Sequence, residues 1–242
     1  MHLVVGFAAA LLVYLLALRV GLSTGASVLV ALLTGFMAWG SAYLLRLVSN
    51  LVGEVKPEKM FELVEWVHRV VAALGLRVRR VSLVYSSRSR EGIQLVQLPE
   101  ARGADARLLE SLLLSSASRG EPLAYRLPDD SIALVMAGRI AADLADMIAS
   151  RRGKPVLTVS TPRELKGLYR LLRTLYQAAA GIERSVAAYM AVKAVGRLVA
   201  QGLVSFTDWS LADDALRHIP AEPIWLRFRV KRQLKRETHI QP

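Results

Sequence analysis

The sequence predicts a mixed α/β cytoplasmic domain preceded by an N-terminal two-helix transmembrane hairpin. Three observations predict it. Residues 1–18 and 20–45 contain no Asp, Glu, Lys or Arg, with only Arg19 between them, and a helix of about 20 apolar residues crosses a bilayer core. From Glu58 onward, stretches with helical apolar spacing alternate with short stretches rich in β-branched residues, the pattern of an α/β domain. The charge is also uneven. The first fifty residues hold two arginines and no acid, so the other residues carry 30 basic and 20 acidic side chains of a chain whose net charge is +12. The organisation expected is a hairpin over 1–48, a linker over 49–57, a soluble domain over 58–206 and a basic extension over 207–242.

The hairpin is expected to be retained. A secretory signal begins with positive charge and ends at a small-residue cleavage site. Here no Lys or Arg precedes the first run, and a longer apolar run follows it. Two spans put both chain ends on one side. One arginine in the loop against Arg46, Lys56, Lys59 and a basic domain after the second span places both termini in the cytoplasm of a cell-membrane protein. Tyr14, Trp39 and Tyr43 are the candidate interface residues, because amphipathic rings favour the headgroup level. Small residues at four-residue spacing, Gly6 with Ala10 and Ala31 with Gly35, let helices approach closely. They fit packing of the two spans on each other before packing on another subunit. No Asp, Glu, Lys or His lies mid-span, so nothing points to an ion or proton path.

After Gly53 and Pro57 a helix is expected from Glu58, with Met60, Phe61, Leu63, Val64, Val67, Val70, Val71 and Leu74 inward, Glu65 and Arg69 as an i, i+4 pair, and Gly75 as its stop. His68 lies within it without partners at metal-ligand spacing, which favours a structural histidine. Residues 79–85 and 93–98 read as strands. The serines, arginines and glycine between them (86–92) resemble a phosphate cradle in composition, but the Gly-x-x-x-x-Gly-Lys pattern is missing, so a solvated loop is favoured. Residues 105–118 read as a helix with Leu108, Leu109, Leu112 and Leu113 inward. Residues 123–127 and 131–136 form a second strand pair around Pro128, Asp129 and Asp130. The two aspartates suit a turn better than a metal site, because no third carboxylate is near.

Residues 132–136 then run into Gly138 and a helix reaching Ser150, closed by the positive charge of Arg151, Arg152 and Lys154. A strand over 155–160 and a helix opened by a capping box, Thr161 to Glu164, complete a βαβ unit. A nucleotide would sit at Ala137, Gly138 and Arg139 or at Ser160 and Thr161, where strand ends face helix N-termini. A single glycine there is not a dinucleotide fingerprint. Asp143 and Asp146 read as a solvated helix face. The helical pattern from Glu164 reaches about Val204, with a break expected at Gly181 or Gly196. Over 185–206, Lys193, Arg197 and Gln201 form one polar stripe. Two central cations make a third span costly, by roughly 5 kcal/mol. This favours an amphipathic helix on the domain over one lying in the membrane interface.

The chain closes with alternating apolar and basic residues from Trp225. Arg227, Arg229, Lys231, Arg232, Lys235 and Arg236 are the candidate contacts for anionic lipid or nucleic acid, RNA and the ribosome included. Absent cysteine excludes disulfides and thiolate chemistry. His218 and His239 are isolated. With no metal-spaced histidines, nucleophile elbow or phosphate loop, neither a cofactor nor a small-molecule substrate is indicated, and catalysis ranks last. The expectation is a membrane-anchored, non-enzymatic scaffold or assembly subunit with the bilayer and a protein as partners. An anchored binder of anionic lipid or RNA is the alternative, and a tethered enzyme without a recognisable motif comes after it.

Overall fold

The computed structural model describes residues 2–98, 104–208 and 210–211. Two helices, α1 (His2–Arg19) and α2 (Thr24–Leu51), form the hairpin, and α3 (Pro57–Ala73) opens the body. It continues through β1 (Val81–Ser89), β2 (Gly92–Leu98), α4 (Ala106–Arg119), β3 (Leu123–Arg126), β4 (Ile132–Met136), α5 (Gly138–Asp146), β5 (Ile148–Arg151) and β6 (Lys154–Val159). The last described elements are α6 (Pro162–Ala180), α7 (Arg184–Ala200) and β7 (Val204–Phe206). The fold is mixed α/β with two sheets, ordered β2-β1-β4-β3 and β5-β6-β7.

The hairpin packs through its small residues. A Cβ built on Gly6 would lie 2.9 Å from the Gly35 carbonyl oxygen and from Trp39 Cβ, and one on Gly35 would lie 2.8 Å from Ala10 Cβ. Gly35 and Ala31 are buried against α1, so the four-residue spacing serves the contact between the two helices. Their outer faces are apolar. All the large exposed hydrophobic side chains among the described residues, apart from Phe61, Ile93, Leu114 and Tyr125, lie between Leu3 and Val48. By length and composition α2 can cross a membrane, with a mean hydropathy of 1.8 over its most apolar window. At 1.5 Å per residue, α1 is about 27 Å long, just under a hydrocarbon core of about 30 Å.

In the body, β1 and β4 run parallel in register from Val81 opposite Ile132 to Tyr85 opposite Met136. Both are buried on two faces, as central parallel strands are. Leu83, Tyr85, Leu134 and Met136 enter the main core with α3, α5, α6 and α7. Val84, Ala133 and Val135 point the other way into a second core under α4, with Leu109, Leu113 and Ala117. The period-two alternation of a strand produces this division. The anchor of the main core is Trp66 on α3, fully buried, whose Nε1 donates to the Leu203 carbonyl at 2.7 Å. Trp66→Phe removes one of the two bonds to that carbonyl, which also accepts from the Leu157 N–H at 3.0 Å, and leaves a small void; it is expected to cost about 1–2 kcal/mol in urea unfolding.

Several expectations need correction. The parallel pairs are β1 with β4 and β6 with β7, whereas β4 and β6, expected in one βαβ unit, belong to different sheets. The helix expected up to Ser150 ends at Asp146, and Ile148–Arg151 forms a strand antiparallel to β6. The basic residues at 151–154 therefore do not cap a helix. Arg152 and Gly153 both take positive φ, 51° and 72°, as a two-residue hairpin turn needs. The long C-terminal helix breaks at Gly181 (φ 63°) and passes through Gly196, and Val204 starts a strand. Phe61, expected inward, is exposed, and the last turn of α2 takes in residues 49–51, expected as linker. Lys193 and Arg197 on α7 and its C-cap Gln201 are exposed while Val186, Ala187, Ala191, Val195 and Leu198 are buried, so the helix packs on the domain with its polar stripe outward.

His68 is half-buried on α3, and burial lowers its pKa below the usual histidine value, outweighing a backbone hydrogen bond with Val81. The unfolded chain therefore binds the proton more readily than the folded one, so this histidine's contribution is present above pH 6.5 and is lost as pH falls below it. Urea midpoints are expected to drop between pH 7.5 and 5.5, and His68→Gln is expected to flatten that drop.

Candidate functional site

Helix α2 and the body meet at a buried joint. Leu51, the last residue of α2, belongs to the second core beside Val84 and Leu113. Ser86 lies on β1 two residues after Val84, hence on the face that meets α2. It is fully buried; its hydroxyl donates to the Leu51 carbonyl at 2.6 Å and accepts from the Gly138 N–H at 2.7 Å. One side chain thus ties the end of α2, strand β1 and the start of α5. The segment after Leu51 passes so close to α5 that only glycine fits at the crossing. A Cβ on Gly53 would lie 2.3 Å from the Gly138 carbonyl, and one on Gly138 would lie 2.3 Å from Ser86 O and 2.7 Å from Leu51 O. Asn50 Nδ2 donates to the Ala117 carbonyl at the end of α4 (2.7 Å), and Arg139 Nη1 to Ser49 Oγ (3.1 Å).

Beside this joint opens a cleft of about 1100 Å³, walled by the end of α2, the α4–β3 turn, α5 and the first turns of α6. Its lining carries five basic side chains, Arg46, Arg139, Arg163, Lys166 and Arg170, and three acidic ones, Asp143, Asp146 and Glu164. The carboxylates are engaged. Asp143 pairs with Arg163 (3.2 Å), and Asp146 with Lys59 (2.7 Å). Glu164 closes the capping box of α6, accepting from the Ser160 and Thr161 N–H groups at 2.6 and 3.1 Å. Arg170 is aimed by a bond to the Gly120 carbonyl (2.9 Å). Arg46 lies over the end of α4, its Nη2 3.3 Å from where a Cβ on Gly120 would stand, where a helix C-terminus favours a cation.

Behind the cleft, Glu121 gathers three arginines on a nearly buried carboxylate: Arg173 at 2.7 Å, Arg184 at 3.4 Å and Arg170 at 4.0 Å. This hub fastens the α4–β3 turn to α6 and α7. Neither the hub nor the joint stands out in the sequence. Glu121 is an isolated acid between a glycine and a proline, and Ser86 opens a serine-arginine run that reads as loop.

The two places where a nucleotide phosphate would sit are filled by the chain itself. Gly138 N–H is bonded to Ser86 and covered by Gly53, and the start of α6 is satisfied by Thr161 and Glu164. Residues 86–92 are mostly strand, joined by a turn at Arg90 and Glu91. Asp129 accepts from the Ser131 N–H and hydroxyl, which hold its carboxyl below the usual range, and Asp130 pairs with Arg126 at 2.8 Å. No metal-holding group of three such side chains occurs among the described residues. Trp39 stacks on Tyr43 (6.1 Å) one to two turns before Arg46, and Tyr14 lies half-buried on α1. Arg227, Arg229, Lys231, Arg232, Lys235 and Arg236, with His218 and His239, lie outside the described residues. The chain matches no protein-family model, no curated protein and no solved structure.

Proposed function

We propose that this is a two-pass membrane protein, both termini cytoplasmic, serving as a non-enzymatic scaffold or assembly subunit that holds its basic α/β body at a fixed attitude to the bilayer for a protein partner. The observation that carries this reading is the joint. Helix α2 runs without a break from apolar residues into the second core, and Leu51, Ser86, Gly53 and Gly138 lock it there. Mere recruitment to a membrane needs only a loose tether. A rigid mount has a use when one face of the body must meet something beside the anchor. The apolar outer faces of α1 and α2 support lipid as their solvent. The slight shortness of α1 is within what local thinning of the bilayer and extension of Arg19 to the headgroups accommodate.

The experiment inserts Gly-Ser-Gly-Ser after Val52, which keeps anchor and body but frees their angle. Wild type is expected to sediment with membranes, to expose a tag after Pro242 only on the cytoplasmic side, and to bring a stoichiometric partner through mild detergent. The insertion variant is expected to keep the first two properties and lose the partner. Wild type that purifies alone, or a complex indifferent to the insertion, contradicts the reading.

A further inference from the structure

We propose that the cleft beside α2 is a headgroup site for an anionic phospholipid, its phosphate held by Arg139, Lys166 and Arg170 with Arg46 at the rim. This rests on the membrane placement proposed above. Leu45 ends the charge-free run of α2 and lines the cleft; Arg46, Ser49 and Asn50 line it too. At 1.5 Å per residue these three stand about 2 to 8 Å along the axis beyond Leu45. A headgroup layer is about 5–8 Å thick on each side of the hydrocarbon, so the cleft mouth opens at the level of lipid phosphates. A lipid diffusing in the leaflet reaches it sideways, with acyl chains along Leu45 and Leu44, both exposed.

The charges suit an anion that arrives from there. The three carboxylates of the lining are consumed by Arg163, Lys59 and the α6 cap. Arg139 is held by a neutral oxygen, Ser49 Oγ, which orients its guanidinium and leaves its charge to be matched. Arg170 is oriented by the Gly120 carbonyl and lies 4.0 Å from Glu121, a carboxylate that Arg173 already pairs at 2.7 Å. Lys166 is exposed one turn into α6. Guanidinium and ammonium groups converging on one cleft are a phosphate-recognising set.

The test reads retained lipid by native mass spectrometry of the full chain, taken from nanodiscs of phosphatidylcholine with one-fifth phosphatidylglycerol. Wild type is expected to keep phosphatidylglycerol over phosphatidylcholine. The exposed pair Arg139→Gln/Lys166→Gln is expected to weaken that preference by about fivefold per cation. Arg88→Gln/Arg90→Gln, which removes two exposed cations from the end of the β1–β2 hairpin, is expected to leave it unchanged. Equal retention of the two lipids overturns the proposal, as does an equal loss in both variants, which means diffuse attraction. A preference that survives the cleft variant and vanishes on deleting residues 225–242 assigns the binding to the basic C-terminus instead. Displacement by millimolar inorganic phosphate assigns the cleft to a soluble anion. Failure of the protein to enter pure phosphatidylcholine nanodiscs strikes the anchor reading itself, separately from the site.

Discussion

Gly138→Ala is expected to loosen the body from helix α2. The added methyl would sit 2.3 Å from Ser86 O, 2.7 Å from Leu51 O and 2.9 Å from Gly53 N, all backbone atoms with no rotamer to escape into. Overpacking in a closed site costs about 1–3 kcal/mol and at times more. Here the strap of residues 52–56 must lift, taking with it the Ser86 bonds to Leu51 and Gly138. A loss of about 3 kcal/mol is expected, a fall in Tm of about 6–12 °C for a chain of this size. Thermal unfolding of the full chain in detergent measures it, and limited proteolysis should show new cleavage between Val52 and Lys56. Gly53→Ala should act alike. Because the two residues meet each other, the double variant should fall short of the sum. Gly40→Ala is the control. Nothing lies within 4 Å of a Cβ there, so it should be neutral or slightly stabilising.

Glu121→Ala is expected to be as damaging for an electrostatic reason. Glu121 and Arg173 are 11% and 13% exposed at the side chain and 2.7 Å apart. Removing the carboxylate leaves Arg173 charged, enclosed and unpaired, and breaking a buried pair in this way costs about 3–5 kcal/mol. Arg184, 61% exposed, contributes little to that figure. Glu121→Gln keeps an acceptor for Arg173 and should lose about half as much. Urea unfolding at low and high salt separates the contributions. The loss should persist in 0.5 M NaCl, because an enclosed pair is poorly screened. A cost below 1 kcal/mol would show that α6 and α7 are held by packing alone.

The helices with a clear apolar stripe, α3, α4 and α6, were legible in the residues, as were the hairpins at 81–98 and 123–136. Local information sufficed for these, since spacing, caps and turn residues all lie within one element. The segment 147–154 was not. Ile148 and Ala149 satisfy a helix or a strand equally, and pairing with Leu157 and Val156 on β6 decides for the strand. The division into two sheets is likewise non-local, because nothing in Ile132–Met136 states whether β1 or β6 will be its neighbour. The candidate site was legible only in part. Arg139 and Thr161, just past the ends of β4 and β6, do line the cleft, but Gly53 and Gly138 acquire meaning only once the chain has brought them together. Ser86, polar among polar residues in sequence, becomes a joint through burial.

A fixed mount requires α2 and the body to move as one unit. The chain has no cysteine, so spin labels can be placed at Phe36→Cys, exposed in the apolar run of α2, and at Lys193→Cys, exposed on α7. The distance between them, measured by pulsed electron resonance in nanodiscs, is the direct test. A single narrow distribution is expected, and it should broaden on Gly138→Ala. A broad distribution in the unaltered joint would mean that the body swings on a loose tether, and the fixed mount would be wrong.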